Sequence, residues 1–357
     1  MNRKSPSERR DAAQTPRELS EAVLEAVLPR WPLPLKGEIN PTLETAEKRH
    51  TAWLHSYGLV EQSCRPETMR LCEVTAYAYP HADVETLAIA ADLTAWLFFV
   101  DELFDTGETG THVESARAFI NSLNNPDDPA KLGTTTTART ELLGRIRRAY
   151  DELATRMRDR MTPPHWAVFS HHLHTYYEAL AAEAANRERH VTPELKDYCE
   201  IRRFSAGTQC QLGLVELSVS TRLPRYMYDS PLFQQLIYAT CDIANWTNDV
   251  FSAAKEHAAG DVHNLVLILQ RQSGCSLPQA ALMAVDRIEA RLQEMEAARA
   301  ALPAFLARHG ASPTTQDAAQ RWAEGLHCFL QHAAWYLGHA RYTPAGTIAE
   351  DAGPAEG

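Results

Sequence analysis

Apolar residues recur every three to four positions along most of the chain, which is the spacing of one face of an α-helix. From about residue 42 onward this pattern is almost continuous, and the period-two alternation typical of half-buried strands is absent. The sequence therefore predicts an all-α protein. The predicted helices cover residues 42–57, 67–79, 84–105, 138–160, 164–187, 193–205, 212–220, 230–257, 263–272, 277–300 and 314–341.

Three segments of the predicted helices, 87–100, 232–244 and 265–269, are mostly apolar. A helix that is apolar all round is surrounded by other helices. We therefore expect a large single-domain α-helical bundle. Polar residues at the end of such a helix should lie at the mouth of the interior rather than on an outer surface.

The two ends of the chain differ from this pattern. The first residues are polar and charged, and four prolines follow within 29–41, so residues 1–27 are predicted to be a disordered tail. Residues 343–357 are mostly small and polar, and the same prediction applies to them. A single domain is therefore expected over residues 28–342, since no connector between the helices is long enough to separate domains.

Asn248, Ser252 and Glu256 are spaced four residues apart near the end of the predicted helix 230–257. Four residues turn an α-helix by ~400°, so the three side chains drift by only ~80° and share one stripe. An amide carbonyl, a hydroxyl and a carboxylate are oxygen ligands that suit Mg²⁺, which often shares its site with phosphate groups. The stripe predicts a magnesium site, with Lys255 beside it as a candidate phosphate contact. A solvated helix face is the alternative interpretation.

A pair of aspartates closes a second apolar helix. Asp101 and Asp105 lie one turn apart after the run Ala-Trp-Leu-Phe-Phe-Val, and Gly107 follows two residues later. Acidic pairs at this spacing usually belong to solvated helix faces, which is the alternative here. The strongly apolar run before the pair favours a second metal site instead.

Arginines supply candidate anion contacts. Arg202 and Arg203 precede the helix-breaking Gly207, and Arg341 with Tyr342 ends the last predicted helix. A guanidinium is a forked donor that suits phosphate oxygens. The alternative for the first pair is a salt bridge with a neighbouring acidic residue, and for Arg341 a favourable position at a helix C-terminus.

Bulk composition limits the function classes. With 45% hydrophobic and 23% charged residues, the 357-residue chain has the composition of a soluble globular protein. A net charge of −11 argues against a nucleic-acid partner. The seven cysteines form no C-x-x-C pair, which predicts reduced thiols in a cytoplasmic protein. The sequence also lacks a secretory signal and any run of ~18 apolar residues, so no membrane span is expected.

Two oxygen-rich sites and scattered basic groups around an apolar interior predict a pocket that clamps a diphosphate with Mg²⁺ and holds a hydrocarbon. In these motifs the chain resembles the bacterial class I terpene synthases, or terpene cyclases, over about residues 28–342. The run 101–105 is similar to the family's aspartate-rich motif, and 248–256 matches its Asn-Asp-x-x-Ser-x-x-x-Glu motif. Three further features are similar to the family and occur in the same order. They are the run 260–266, an arginine 46 residues before Asn248 (248 − 46 = 202), and a terminal Arg-Tyr pair.

The resemblance implies a site for three Mg²⁺ ions. Asp101 would bridge two ions, with Asp105 in the same motif. The third ion would be held by the stripe of Asn248, Ser252 and Glu256. The family usually has an aspartate where this chain has a glutamate at position 102, so the contribution of that carboxylate to metal binding is left open.

The resemblance also implies the groups that hold and release the diphosphate. The expected diphosphate ligands are Arg202, Lys255, Arg341 and Tyr342. The family has a helix break after its sensing arginine, where a backbone carbonyl helps to trigger ionisation. Ser205 and Ala206 occupy those positions here and are, with Arg202, the expected catalytic residues.

Four aromatic side chains are candidates for the hydrocarbon pocket: Phe98, Trp335, Tyr176 and Trp96. Ordinary core packing is the alternative for each. The resemblance implies a lyase that cyclises a linear isoprenyl diphosphate and releases pyrophosphate. Farnesyl diphosphate is the favoured substrate and geranylgeranyl diphosphate the second, so the product would be a sesquiterpene or a diterpene.

Two other functions are kept open. A chain-elongating prenyl diphosphate synthase also uses a helical bundle and Mg²⁺, but it needs two facing aspartate-rich repeats, and the second is missing here. A non-catalytic helical bundle that binds an isoprenoid would not need the metal ligands. A homodimer is left open as the assembly.

Overall fold

A computed structural model describes residues 14–60, 70–105, 109–124 and 137–338, and within these ranges the protein is helical and has no strand. The prediction of an all-α fold is therefore confirmed. The α-helices are α1 (Pro16–Val27), α2 (Leu43–Ser56), α3 (Leu71–Ala78), α4 (Val84–Asp105), α5 (Val113–Asn124), α6 (Thr137–Arg160), α7 (Pro163–Glu188), α8 (Leu195–Ser205), α9 (Thr208–Leu212), α10 (Val215–Ser218), α11 (Arg225–Tyr228), α12 (Pro231–Ala259), α13 (Leu265–Ser273), α14 (Leu277–Arg308), α15 (Pro313–Phe329) and α16 (Ala333–Gly338). Short 3₁₀ segments at Leu28–Arg30 and Leu330–His332 follow α1 and α15.

The two most apolar long helices, α4 and α12, form the centre of the bundle. Helix α12 packs against α1, α8, α13 and α14, whereas α4 packs against α2, α3 and α6. Both helices are buried around most of their circumference, as their apolar composition predicts. Their polar C-terminal turns carry the candidate metal ligands.

Local signals in the sequence set the ends of α12. The side chain of Ser230 caps its N-terminus by accepting a hydrogen bond from the backbone N–H of Phe233, and Pro231 occupies the first turn. Gly260 ends the helix in the left-handed conformation with φ = 75°, which glycine adopts without strain. These caps place the metal-ligand stripe in the last three turns of a long, rigid element.

Arg203 belongs to a buried ion network rather than to a surface salt bridge. Its guanidinium donates two hydrogen bonds of 2.8 Å to Asp242 of α12, and Arg291 of α14 pairs with the same carboxylate at 2.9 Å. A buried carboxylate needs such partners because burial raises the cost of its charge. The network joins α8, α12 and α14.

The prediction of a disordered tail over residues 1–27 is wrong for residues 16–27. Helix α1 buries four apolar side chains and packs against α12 and α14; they are Leu19, Val23, Leu24 and Val27. Its N-terminus carries a capping box in which Thr15 and Glu18 exchange hydrogen bonds. The charged residues around these positions masked the amphipathic spacing. Residues 1–13 and 343–357 lie outside the described residues.

Other helix boundaries also differ from the predictions. Helices α5 and α11 were not predicted, and the predicted helix 212–220 is divided between α9 and α10. The predicted helix 314–341 is interrupted by the 3₁₀ turn Leu330–His332. After this segment, residues of α16 contact the C-terminal half of α12.

Among the described residues, no helix combines the length and the apolar character that crossing a bilayer requires. The described cysteines are free thiols.

Replacing Leu19 with alanine tests whether α1 is an integral part of the bundle. Leu19 is 2% exposed, so Leu19→Ala should lower the free energy of unfolding by about 2–5 kcal/mol. Glu25→Ala, on the exposed face of the same helix, is the matched control and should change stability little. Denaturant unfolding measures both, and equal stabilities of the two variants would contradict a packed α1.

Candidate active site

A cavity of about 390 Å³ lies between α3, α4, α7, the α8–α9 break, the second half of α12 and the C-terminal segment 329–336. Its lining combines polar and charged groups with aromatic and aliphatic ones. The volume is within the range of ~300–1,000 Å³ typical of small-molecule sites.

The predicted stripe of Asn248, Ser252 and Glu256 lines this cavity. Asn264, the N-cap of α13, is fully buried behind it. Its amide donates hydrogen bonds to Glu256 Oε2 at 2.9 Å and to Ser252 Oγ at 3.4 Å. The three oxygen-bearing side chains therefore share one helix face, and a buried amide positions two of them.

The environment of Glu256 disfavours its charge. Burial raises the pKa of Glu256 to about 7, and the carboxylate of Asp249 adds to the rise. The guanidinium of Arg202 and the hydrogen bond from Asn264 offset only part of this effect. A divalent cation would stabilise the ionised carboxylate strongly at this position.

Arg202 is held at the polar end of the cavity by α12. Its Nη2 donates to Asn248 Oδ1 at 2.9 Å and pairs with Asp249 Oδ1 at 2.8 Å. Asp249 is fully buried and also accepts hydrogen bonds from the Tyr198 hydroxyl and, at 3.1 Å, from the backbone N–H of Leu265. The predicted sensing arginine thus lies next to the first predicted metal ligand.

The helix break predicted after Arg202 is present. Helix α8 ends at Ser205, Ala206 follows, and Gly207 adopts φ = 69° before α9 begins. Ser205 and Ala206 both line the cavity. The amide of Asn245 donates to the backbone carbonyl of Arg202 at 2.8 Å, so α12 also fixes the break.

Two features favour glycine at position 207: its left-handed backbone and the close approach of the Leu97 side chain. An added Cβ would lie 2.8 Å from Cδ2 of Leu97, which belongs to α4 and lines the cavity. The left-handed backbone is strained for residues other than glycine. A glycine at this position therefore lets the break approach α4 closely.

Asp101 comes from a different helix of the cavity wall, α4. It is exposed at the end of α4 and lines the same cavity as Glu256. The structure therefore brings the two predicted metal motifs to one opening. The side chain of Asp105 lies outside the described part of the chain, so its role stays a prediction.

The predicted diphosphate ligands are only partly described. Lys255 is exposed and lines the cavity together with Arg202. Arg341 and Tyr342 lie outside the described residues, and their roles stay predictions.

Three of the four predicted pocket aromatics line the cavity: Phe98, Tyr176 and Trp335. Trp96 does not. It is 1% exposed and packs on Tyr150 of α6 with ring centroids 4.5 Å apart, so it belongs to the core between α4 and α6. Phe98 lies one turn before Asp101 on the cavity face of α4, whereas Trp96 lies on another face of the helix.

The cavity also has lining residues that were not predicted as site residues. Charged and polar groups come from the end of α7 and from the loop after α12, and aromatic groups from α3 and from the segment 329–336; they are Glu183, Arg187, Asp261, His263, Tyr79, Phe329, His332 and Tyr336. Of these, only Asp261 and His263 had a signal in the sequence, which was the similarity of 260–266 to a family motif. The hydroxyl of Tyr336 accepts a hydrogen bond of 3.2 Å from Asn248, a contact across 88 residues that no local pattern indicates.

Comparisons with known proteins place this site in a family. A family model described as terpene synthase family 2, C-terminal metal binding, matches residues 92–294. The (+)-T-muurolol synthase of Roseiflexus castenholzii is 34% identical over 315 residues, which cover 87% of this chain and 92% of that protein. This chain belongs to the terpene synthase family. Pristinol synthase of Streptomyces pristinaespiralis is 29% identical over 331 residues, which cover 90% of this chain and 86% of that protein.

Solved structures give the same assignment. Germacradien-4-ol synthase from Streptomyces citricolor has a TM-score of 0.69 and 26% identity, over 86% of this chain and 97% of that chain. The predictions of a class I terpene synthase fold and of a terpene synthase enzyme are thus confirmed. Neither a chain-elongating synthase nor a non-catalytic bundle is favoured by these relatives.

The residues present at the site fit the metal that the family model implies. Within the described ranges, no group of three or more His, Cys, Asp or Glu side chains is arranged to hold a metal ion. The mixed oxygen set on α12 is therefore the candidate, together with Asp101 of the same cavity lining. Its amide, hydroxyl and carboxylate oxygens suit a hard divalent cation, and burial raises the pKa of Glu256, an effect that a bound cation would oppose.

Gly207→Ala tests the close approach of the helix break to α4. We expect a larger fall in the melting temperature and in terpene synthase turnover than in Gly274→Ala. Gly274 has nearly the same φ, 67°, but no atom within 4 Å of an added Cβ, so it isolates the backbone cost of about 1 kcal/mol. Thermal unfolding and product assays measure both effects, and equal losses in the two variants would show that the contact with Leu97 is unimportant.

Proposed function

We propose that this terpene synthase ionises and cyclises a linear isoprenyl diphosphate, with farnesyl diphosphate as the favoured substrate. The observation that carries the proposal is that one cavity is lined both by a polar cluster and by aromatic rings. Arg202 and Asn248 are hydrogen-bonded to each other at its polar end, Glu256 and Asp101 also line it, and Phe98 is one of its aromatic groups. Such a cavity suits an amphiphile with an anionic head and a hydrocarbon chain.

The relatives support the choice of farnesyl diphosphate. The (+)-T-muurolol synthase of Roseiflexus castenholzii is named as (2E,6E)-farnesyl diphosphate cyclizing. Geranylgeranyl diphosphate is the second candidate for this chain.

The metal would be Mg²⁺, with three ions expected. Asn248, Ser252 and Glu256 would hold one ion, and Asp101 with Asp105 the others. When bound, the ions supply positive charge that stabilises the departing pyrophosphate. The chain's own cations then complete the binding of the anion: Arg202 and Lys255 from the described cavity, and Arg341 with Tyr342 as further proposed ligands.

The helix break contributes to ionisation through its position. Ser205 and Ala206 lie directly after the turn of α8 that carries Arg202, and the Asn245 amide holds that turn in place. We propose that contacts between this segment and the diphosphate orient the bond that breaks. A rigid break would keep these groups aligned for the reaction.

The aromatic part of the cavity would protect and guide the carbocation. Phe98, Tyr176 and Trp335 present π-faces, which attract cations and do not react with them as water does. Tyr176 is 2% exposed, and burial raises the pKa of its phenol well above the ordinary value, so it stays neutral. A dry cavity of this kind favours cyclisation over early capture by water.

The direct test is to incubate the protein with C10, C15 and C20 isoprenyl diphosphates, with and without Mg²⁺. Pyrophosphate release and gas chromatography with mass detection are the measurements. We expect the C15 substrate to give a cyclic product in the presence of Mg²⁺ only. Release of pyrophosphate from none of the three substrates would overturn the proposal.

Cytoplasmic location and dimerisation stay predictions.

Glu256→Gln tests the metal stripe. The substitution keeps the size of the side chain but removes the charge that would hold a cation, so turnover should fall by about 100-fold or more. The fold should persist, because Glu256 is only partly buried at the edge of the cavity. Glu289→Gln, on the exposed face of α14, is the control and should retain full turnover. Retained activity in a folded Glu256→Gln enzyme would count against the metal assignment.

A further inference from the structure

His332 is a histidine of the cavity wall that is not among the predicted metal ligands. It ends the 3₁₀ turn Leu330–His332, and its ring lines the cavity while remaining 8% exposed. The rings of Phe329 and Tyr336 flank it at centroid distances of 5.2 and 5.9 Å. The imidazole is therefore held in place by aromatic neighbours.

The hydrogen bonding of His332 defines its tautomer. Nδ1 lies 2.7 Å from the backbone carbonyl oxygen of Phe329. A carbonyl can only accept, so Nδ1 carries the proton and Nε2 has a free lone pair in the neutral ring. Burial lowers the pKa of His332 and so favours the neutral form.

The Nε2 atom of His332 remains available to a ligand. Among the described residues, this nitrogen has no hydrogen-bond partner. It is also not completely buried, since some of its surface is accessible. His332 lines the cavity, and its Nδ1 is turned to the Phe329 carbonyl, so Nε2 is the ring nitrogen that a ligand in the cavity could reach. The other imidazole of the lining, His263, lies among Glu183, Arg187 and Asp261, and its Nε2 is 3.4 Å from the Asn186 amide.

We propose that Nε2 of His332 is the base that ends the reaction by removing a proton from a carbon next to the last carbocation. This inference rests on the proposed function. In the step, a C–H bond breaks, its electron pair forms the C=C bond of the product, and the proton bonds to Nε2. The imidazolium then returns the proton to water once the product leaves and solvent refills the cavity.

The chemistry of this step suits a buried imidazole. A carbocation is a far stronger acid than an imidazolium ion, so a weak base is sufficient. A base that stays neutral until the last step does not repel the cation, and its donation to Phe329 fixes the direction of the lone pair.

His332→Phe tests the proposal, because it keeps an aromatic ring of similar size but removes the lone pair. The products from farnesyl diphosphate are quantified per pyrophosphate released, so that termination is measured separately from ionisation. We expect the share of the main wild-type product to fall about tenfold or more. Products of deprotonation at other carbons, or of capture by water, should replace it.

Two further variants separate the lone pair from the shape of the side chain. His332→Gln retains an acceptor and should keep a larger share of the native product than His332→Phe. Added imidazole should restore the native product in His332→Ala. Phe329→Ala is the matched control: it enlarges the same wall without removing a base, so imidazole should not restore its product profile.

Three outcomes would overturn the inference. They are a native product profile in folded His332→Phe, equal profiles in His332→Phe and His332→Gln, and a lack of rescue of His332→Ala by imidazole. Circular dichroism establishes that each variant is folded. If the wild-type protein releases no pyrophosphate from any isoprenyl diphosphate, the proposed function fails instead, and the two failures are thereby distinguished.

Discussion

The polar end of the cavity depends on the buried pair formed by Arg202 and Asp249. Asp249 is fully buried, and its carboxylate has Arg202, Tyr198 and the backbone N–H of Leu265 as partners. Removal of one member of such a pair leaves an uncompensated charge, which costs about 3–5 kcal/mol. The pair therefore fixes α8, α12 and the start of α13 relative to one another. The same guanidinium also bonds to Asn248, so the interaction that stabilises this part of the bundle also places a basic group beside the metal stripe.

The position of the site follows from where the apolar runs of α4 and α12 end. Each of the two helices is buried along most of its length and becomes polar in its last turns, at Asp101 and at Glu256. Because these turns line one cavity, the carboxylates share it with aromatic side chains. A diphosphate bound there would direct its hydrocarbon chain toward rings such as Phe98. The bundle thus separates a region that stabilises negative charge from a region that tolerates a cation.

Much of this arrangement was predictable, and the remainder was not, for physical reasons. The spacing of Asn248 and Glu256 is local to one helix, so helix geometry alone placed them on one stripe. Helix α1 was missed although Thr15 and Glu18 form a capping box and apolar residues recur at helical spacing, because the charged composition of the first residues was given more weight than this spacing. The hydroxyl of Tyr336 reaches Asn248 across 88 residues of sequence, because α16 packs against α12. Long-range contacts of this type depend on the packing of whole helices, and a single sequence does not specify that packing.

The charges around the cavity make the binding of substrate and cations interdependent. In the described part of the chain, the lining contains the four acidic side chains Asp101, Glu183, Glu256 and Asp261, but only three basic ones, Arg187, Arg202 and Lys255. Within this set, the guanidinium of Arg187 lies 3.5 Å from the carboxylate of Glu183, and the guanidinium of Arg202 is already paired with the carboxylate of Asp249. The protein alone therefore offers little net positive charge to a diphosphate, and the chain as a whole carries −11. An anion gains a favourable potential at this opening when divalent cations bind to the carboxylates with it. Ionisation of the substrate would then require the complete assembly, which prevents the release of a carbocation into an open, wet cavity.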